Sequence, residues 1–299
     1  MVIMQLKGGI GNQLFQYSLG RQLSIKNQTE LKLDISFYDD ETLEDFLLPH
    51  SKFLIKDFDT RYTLCSESEK AKLVNKSRLF LSRVKRKINP YNTNLFIEKS
   101  LKFDPAVLSL PKDVFLTGWF QSEKYFFQIK ELLKKELLFK KLQGNAHKQM
   151  AQKITSLNSV SIHVRRGDYF KNAEHTKYFG ILNLNYYKKC VEYINNRVSN
   201  PHYFIFSDDV SWVVENFKIA GNKTIVDLKN ESSAVGDMHL MSLCKHNVIA
   251  NSSYSWWAAW LNNNVNKIVM APSPWFGTDT ERVNDMVPND WIKMCFLEL

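Results

Sequence analysis

From residue 159 onward the chain alternates short β-branched or aromatic runs with amphipathic stretches, and this alternation restricts the fold more than any other feature. The pattern predicts strands at 159–164 (Ser-Val-Ser-Ile-His-Val), 202–207 (His-Tyr-Phe-Ile-Phe-Ser), 223–227, 247–250 and 267–271, with helices near 184–197, 210–218, 234–245 and 254–262. The helix after Asp209 carries Val210, Val213, Val214 and Phe217 at the i, i+3, i+4, i+7 spacing of a buried stripe. Strands separated by helices do not pair as hairpins; they form a parallel sheet with helices on both faces.

The first half starts in the same way. A strand over 2–6 runs into Lys7-Gly8-Gly9-Ile10-Gly11-Asn12, then a helix to about Ile25, then a strand over 30–34 ending at Asp34. A strand near 113–117 and a helix from Ser122 to Phe139 follow, with Ser122 as N-cap and Glu123 at the positive end of the helix dipole. Residues 140–157 are polar and read as the boundary between halves. The expected architecture is two Rossmann-like α/β domains with parallel sheets facing a cleft, divided as 1–150 and 151–299.

Composition removes several function classes. Hydrophobic residues make up 44% of the 299 and charged residues 24%, a soluble globular balance. There is no run of about 18 uncharged apolar residues to cross a bilayer. The opening Met-Val-Ile-Met-Gln-Leu enters a strand without a basic leader, so a cytoplasmic protein is expected. The cysteines (Cys65, Cys190, Cys244, Cys295) are scattered, without metal-ligand spacing, and read as reduced buried thiols. The net charge of +9 is concentrated in residues 70–87, which hold eight Lys and Arg and no acid; without those eight the remainder carries +1. Leu73, Phe80, Leu81, Val84 and Ile88 recur among them at helical spacing. This segment is either a solvated helix face or a contact for an anionic membrane surface. A nucleic-acid partner is not expected, since no wider basic surface or recognition motif accompanies it.

Polar residues collect where strands end. His163-Val164-Arg165-Arg166-Gly167-Asp168-Tyr169 leaves the strand at 159–164. Adjacent guanidiniums offer planar forks of donors matched to phosphate oxygens. Asn251-Ser252-Ser253-Tyr254-Ser255 crowds hydroxyls at a helix start, where amides and the dipole favour an anion. Phe206-Ser207-Asp208-Asp209 either caps a helix or holds a divalent ion; a strand exit followed at once by a helix favours capping, and no metal is expected. Asp237 could contact a nucleobase. The Trp256, Trp257 and Trp260 indoles read as core. In the amino-terminal loop, Gly9 and Gly11 with Asp34 suggest a dinucleotide site, but Leu14 occupies the third glycine position of that fingerprint. Asn12 and Gln13 offer both donors and acceptors to sugar hydroxyls. Polar groups at three strand ends of one sheet specify a phosphate-bearing ligand.

Taken in order, Gly8 to Tyr17, Gly118 to Phe126, His163 to Tyr169, Phe206 to Asp209 and Asn251 to Trp257 resemble the α-1,2-fucosyltransferases of glycosyltransferase family 11. The resemblance implies a GT-B-like fold, an inverting and metal-independent reaction, no cofactor, and GDP-L-fucose as donor. The implied acceptor is the 2-hydroxyl of a terminal galactose in a surface polysaccharide or oligosaccharide, as in bacterial members without a membrane anchor. On that reading His163, Arg165, Arg166, Ser207, Asp208, Asp237, Asn251, Ser252, Ser253 and Ser255 bind the donor. Gly9, Gly11, Asn12 and Gln13 lie on the acceptor side. Arg165, Asp168 and Asn12 form the catalytic set, with Arg165 neutralising the leaving diphosphate. Two other readings stay open: a nucleotide-sugar-binding protein without turnover, and an NAD-dependent oxidoreductase using the Gly9–Gly11 loop.

Overall fold

The computed structural model describes residues 1–39, 52–78, 84, 89, 91, 93–140, 144–166, 182–276 and 285–296. It divides into two units, Met1–Lys140 and Lys141–Leu299.

The first unit holds a parallel sheet of β1 (Val2–Gln5), β2 (Leu31–Asp34), β3 (Thr63–Leu64), β4 (Leu95–Ile97) and β5 (Val114–Thr117), ordered β3-β2-β1-β5-β4. Met4 of the central strand lies opposite Leu33 on one side and Leu116 on the other. Helix α1 (Ile10–Lys26) is buried nearly all round, including Gln13, Gln16, Ser18, Gln22 and Ser24. A helix so enclosed meets most of its polar side chains within the protein, although Ser18 Oγ and Gln22 Oε1 have no hydrogen-bond partner among the described residues. Tyr17 Oη donates to Glu136 Oε2 at 2.7 Å, Arg21 grips the same carboxylate through Nε and Nη2, and Gln22 Nε2 donates to Gln128 Oε1 at 3.1 Å. The close helix–strand approach that Leu14 denies occurs further along: a Cβ on Gly20 would sit 2.7 Å from Leu31 Cδ1 and 3.3 Å from Met4 Cβ.

Helix α2 (Glu67–Arg78) lies in the connection from β3 to β4. Its Leu73 packs with Ile3 and Phe115, while Lys70 Nζ lies 3.0 Å from Asp34 Oδ2 and donates to Ser36 Oγ. Residues 79–83 and 85–88 of the basic segment lie outside the described residues. The predicted helix over 122–139 is broken. Ser122 does cap, accepting the Lys124 amide, but it starts a 3-10 turn (Glu123–Tyr125). A second 3-10 turn (Phe127–Ile129) follows, and only then α3 (Lys130–Glu136). Tyr125 and Phe126, at the break, are both buried.

The second unit contains α4 (Asn145–Ser156), β6 (Ser159–Val164), α5 (Leu184–Asn195), β7 (His202–Ser207), α6 (Val210–Asn216), β8 (Asn222–Ile225), α7 (Ala234–Leu243), β9 (His246–Val248), α8 (Ser253–Leu261), β10 (Val269–Ser273) and β11 (Ile292–Cys295). All six strands are parallel, in the order β11-β10-β9-β6-β7-β8. Central β6 is buried at every position, because helices cover both faces of the sheet. Its Ser161 joins a buried polar chain: Asn262 Nδ2 donates to Asn247 Oδ1, and Asn247 Nδ2 donates to Ser161 Oγ, both at 2.7 Å.

The predicted division at residue 150 would cut through α4. The units part after Lys140 because α4 is amphipathic: its polar face misled the composition argument, while His147 and Ile154 are buried, with His147 Nε2 3.4 Å from Gly236 O. Trp256, Trp257 and Trp260 are core, as expected. Cys190 and Cys244 are buried, but Cys65 is half-buried and Cys295 exposed, on the edge strand β11 that lacked a sequence signal.

Candidate functional site

Each sheet has one place where the chain reverses its direction of travel across the strands. In the second unit the chain leaves β6 for β7 and β8, then returns to the other side of β6 with β9. Connections diverge there, opening a crevice outside the carboxyl ends of β6 and β9, the usual ligand position in open α/β sheets. Ile162 is in register with both Val248 and Ile205, and Val164 with Ser207. The polar blocks after residues 163, 206 and 250 therefore emerge on one rim, as expected from the sequence.

The structure separates the adjacent arginines. Arg166 lies with its guanidinium 3.7 Å from the Trp212 ring centroid, its Nε 4.0 Å from Asp209 Oδ2, and its backbone amide donating to Asp208 Oδ1 at 2.9 Å. It braces the β7 side. The Arg165 charge instead acts on both His163 and Tyr254. His163 is 5% exposed. Burial first, and the Arg165 charge second, lower its imidazole to about 3, so the ring is neutral at physiological pH. Its Nδ1 is buried without a hydrogen-bond partner among the described residues. The Tyr254 ring lies 5.4 Å from it, and Tyr254 Oη donates to Ala234 O at 2.6 Å. Burial pushes the Tyr254 phenol well up, helped by Asp237.

The serine block divides as well. Ser252 occupies the N-cap of α8 without a side-chain cap bond, so its hydroxyl does not cover the first-turn amides. Ser252 and Asn251 are buried at the crevice and Ser253 is half-buried. Ser255, expected as a donor ligand, is turned inward: its Oγ donates to Ala250 O and Ser252 O, each at 3.4 Å, because the third residue of a helix faces its own preceding turn. Ser207 and Asp208 are also engaged locally. Ser207 Oγ accepts the Asp209 amide at 3.0 Å, Asp208 holds the Arg166 amide, and Asp209 caps α6 through the Trp212 amide at 3.0 Å. Asp209 is thus the capping residue of the pair, while Asp208 ties the chain leaving β6 to that leaving β7. Asp237, in the first turn of α7, accepts from Ser232 Oγ at 3.1 Å and has its carboxyl pushed up by burial. Asp168 lies outside the described residues, as do His175, Tyr178 and Phe179.

In the first unit the reversal falls between β1 and β5. The tight turn after β1 depends on Gly8, whose φ of +76° favours glycine. Gly9 is exposed, with nothing within 4 Å of an added Cβ, and Gly11 is buried. Gln13 is not a sugar ligand. It is wholly buried, its Nε2 donates to Gly8 O and Lys52 O, and its Oε1 accepts from the Leu54 and Ile55 amides. Those four bonds exhaust an amide's capacity. Asn12 is half-buried and receives Gln121 Nε2 on its Oδ1 at 2.7 Å. Asp34, the acid a dinucleotide-binding loop would need for ribose, is committed to Lys70 and to the Ser36 amide.

Sequence reasoning missed Tyr254, Trp212, Lys7, Trp119 and Glu98. Tyr254 lay inside a block already singled out, but its importance depends on the β6–β9 neighbourhood, which no local pattern encodes. Among the described residues, no group of three or more His, Cys, Asp or Glu could hold a metal, and no helix is long and apolar enough to cross a membrane.

The family model described as glycosyl transferase family 11 matches residues 1–294. An alpha-1,2-colitosyltransferase of Escherichia coli is 32% identical over 302 residues, covering 98% of this chain and 99% of the relative. The O-antigen biosynthesis glycosyltransferase WbnK of Escherichia coli is 31% identical over 317 residues, covering 97% and 99%. Among solved structures, a point mutant of Arabidopsis thaliana FUT1 in complex with GDP shares the fold with a TM-score of 0.51 at 13% identity, over 96% of this chain and 74% of that one. The fold is of the GT-B class, with two Rossmann-like units.

Proposed function

This chain belongs to glycosyl transferase family 11, and on that premise we propose that it is an inverting, metal-independent galactoside α-1,2-fucosyltransferase. The donor is GDP-L-fucose, bound by the second unit; the acceptor is the 2-hydroxyl of a terminal galactose, bound by the first. One observation carries the reading: Arg165 follows β6 at the rim where α8 begins after the neighbouring β9, beside a histidine that stays neutral. A guanidinium and first-turn amides suit a diphosphate without a cation of their own.

In the reaction the acceptor oxygen forms a bond to the anomeric carbon as the bond to the β-phosphate oxygen breaks. The ring gains oxocarbenium character and GDP departs with the electron pair. Arg165 and the α8 amides meet the charge that develops on the leaving oxygen, commonly the largest catalytic contribution. Asn12 orients a sugar hydroxyl, and Asp168 is the proposed base for the acceptor proton. Asp237 is the proposed contact for the guanine. The WbnK relative supports an O-antigen or other surface-glycan acceptor. A second donor, GDP-colitose, is favoured by the colitosyltransferase relative; colitose is fucose without its 3-hydroxyl.

The test is incubation with GDP-[14C]fucose and lactose in EDTA. Labelled trisaccharide with an α-1,2 linkage is expected. Transfer from GDP-colitose alone selects the second donor, and loss of transfer in EDTA removes metal independence. Failure with both donors, with and without magnesium, across a panel of galactosides overturns the assignment.

A further inference from the structure

The crevice of the first unit holds chemistry that donor binding does not use. Trp119 follows β5 and is half-buried. Lys7, leaving β1, places Nζ 4.4 Å from the indole ring centroid and so packs one side of it. Beneath the same loop Glu98, just after β4, accepts the Trp119 amide at 2.6 Å and the Phe120 amide at 3.0 Å, one on each carboxylate oxygen. Gly118 leaves room for this clamp: a Cβ there would lie 2.5 Å from Glu98 Cβ. Phe120 is fully buried with φ +50°, which anchors the far side of the loop. Glu98 and Phe120 therefore fix the backbone that carries Trp119, and Lys7 packs on the indole itself.

Polar groups complete the site. The Gln121–Asn12 bond uses one amide hydrogen and one carbonyl oxygen. Asn12 Nδ2 and Gln121 Oε1 are left with no hydrogen-bond partner among the described residues. Exchanging oxygen and nitrogen in both amides still leaves one donor and one acceptor, so the pair offers both in either orientation. On the neighbouring β1 exit, exposed Gly9 keeps the ground open. An aromatic ring, a donor and an acceptor fit a pyranose, which presents a C–H face beside hydroxyls that both donate and accept.

We propose that Trp119, Gln121 and Asn12 form the subsite for the acceptor's terminal pyranose, with Trp119 the residue that sets acceptor affinity. The proposal rests on the transferase reading above. The donor sugar has the same ring chemistry, so the experiment separates the two sources.

Full-length Trp119→Ala, Trp119→Phe and Gln121→Ala are compared with wild type by kinetics in which acceptor and donor are varied separately, with GDP affinity measured by calorimetry. Trp119→Ala and Gln121→Ala are expected to raise the acceptor KM about tenfold, equivalent to about 1.4 kcal/mol. Donor KM and GDP affinity should stay within about twofold, and Trp119→Phe should recover most of the loss. A shift in donor KM instead, or an unchanged acceptor KM in a folded variant, overturns the proposal. Saturation-transfer NMR with methyl β-galactoside supplies a readout without turnover. If wild type transfers no sugar, the function fails; loss of the galactoside signal in Gln121→Ala still supports the subsite, and its persistence in both alanine variants overturns it.

Discussion

Protonation of His163 should set much of the acid sensitivity of the second unit. In the unfolded chain its imidazole titrates at the ordinary value of 6.5; in the folded protein burial and Arg165 lower it to about 3. The unfolded state therefore binds more protons between those values. Stability from this group is fully present above 6.5 and is lost progressively as pH falls toward 3. At about pH 5 the linkage amounts to roughly 2 kcal/mol, and below about pH 3 to roughly 5 kcal/mol. His239, lowered to about 4, and His202 and His246, also lowered, add acid sensitivity of their own. The measurement must therefore compare variants rather than interpret one curve. Urea unfolding of wild type and His163→Asn, followed by tryptophan fluorescence at about pH 7.5 and 5, isolates the contribution. Every tryptophan except Trp119 lies in the second unit, so the signal reports that unit. The drop in stability between the two pH values should be about 2 kcal/mol smaller in His163→Asn, whatever the variant's absolute stability. Equal drops in both proteins would show that His163 is protonated, or able to become so, in the folded crevice. Arg165 would then share its site with a second cation, and the neutral-histidine argument would fail.

The arginines should behave differently on truncation. Arg165→Ala is expected to lower kcat by about 10²- to 10³-fold with an unchanged melting temperature. Arg166→Ala should mainly cost stability, about 1 kcal/mol, through loss of its stacking on Trp212. Matched rate losses for the two, measured with circular-dichroism melts, would contradict this division. Gln13→Ala removes four hydrogen bonds to the 8 and 52–55 backbone, two of them buried and two part-buried, and should destabilise the first unit by about 2–4 kcal/mol, read as a lower melting temperature. Retention of wild-type stability there would return Gln13 to the list of ligand-facing residues.

Much of the second unit was legible because its strands and helices are long enough to show their periods. β6 and β7 span the predicted limits, and the ends of α5 to α8 fall within two residues of expectation. β3, β4 and β11 were not legible. They are edge strands of two to four residues, half-exposed or exposed, whose existence depends on a neighbour already in place. The predicted helix over 122–139 is instead two 3-10 turns followed by the short α3.

Read alone, the amino-acid order determined that this protein is two parallel α/β units and that its polar groups gather at strand exits, since both follow from the periodicity of neighbouring residues. How each of those groups is engaged was decided only by tertiary structure. Gln13 is consumed by the backbone at 52–55, Asp34 by Lys70 and Arg166 by Trp212, while the charge of Arg165, one residue away, acts on His163 and Tyr254. Trp119 becomes a fixed platform through Lys7 and Glu98. Each outcome turns on a partner distant in the chain, and hydrogen bonds and stacking act over a few ångströms of space, whatever the separation in sequence.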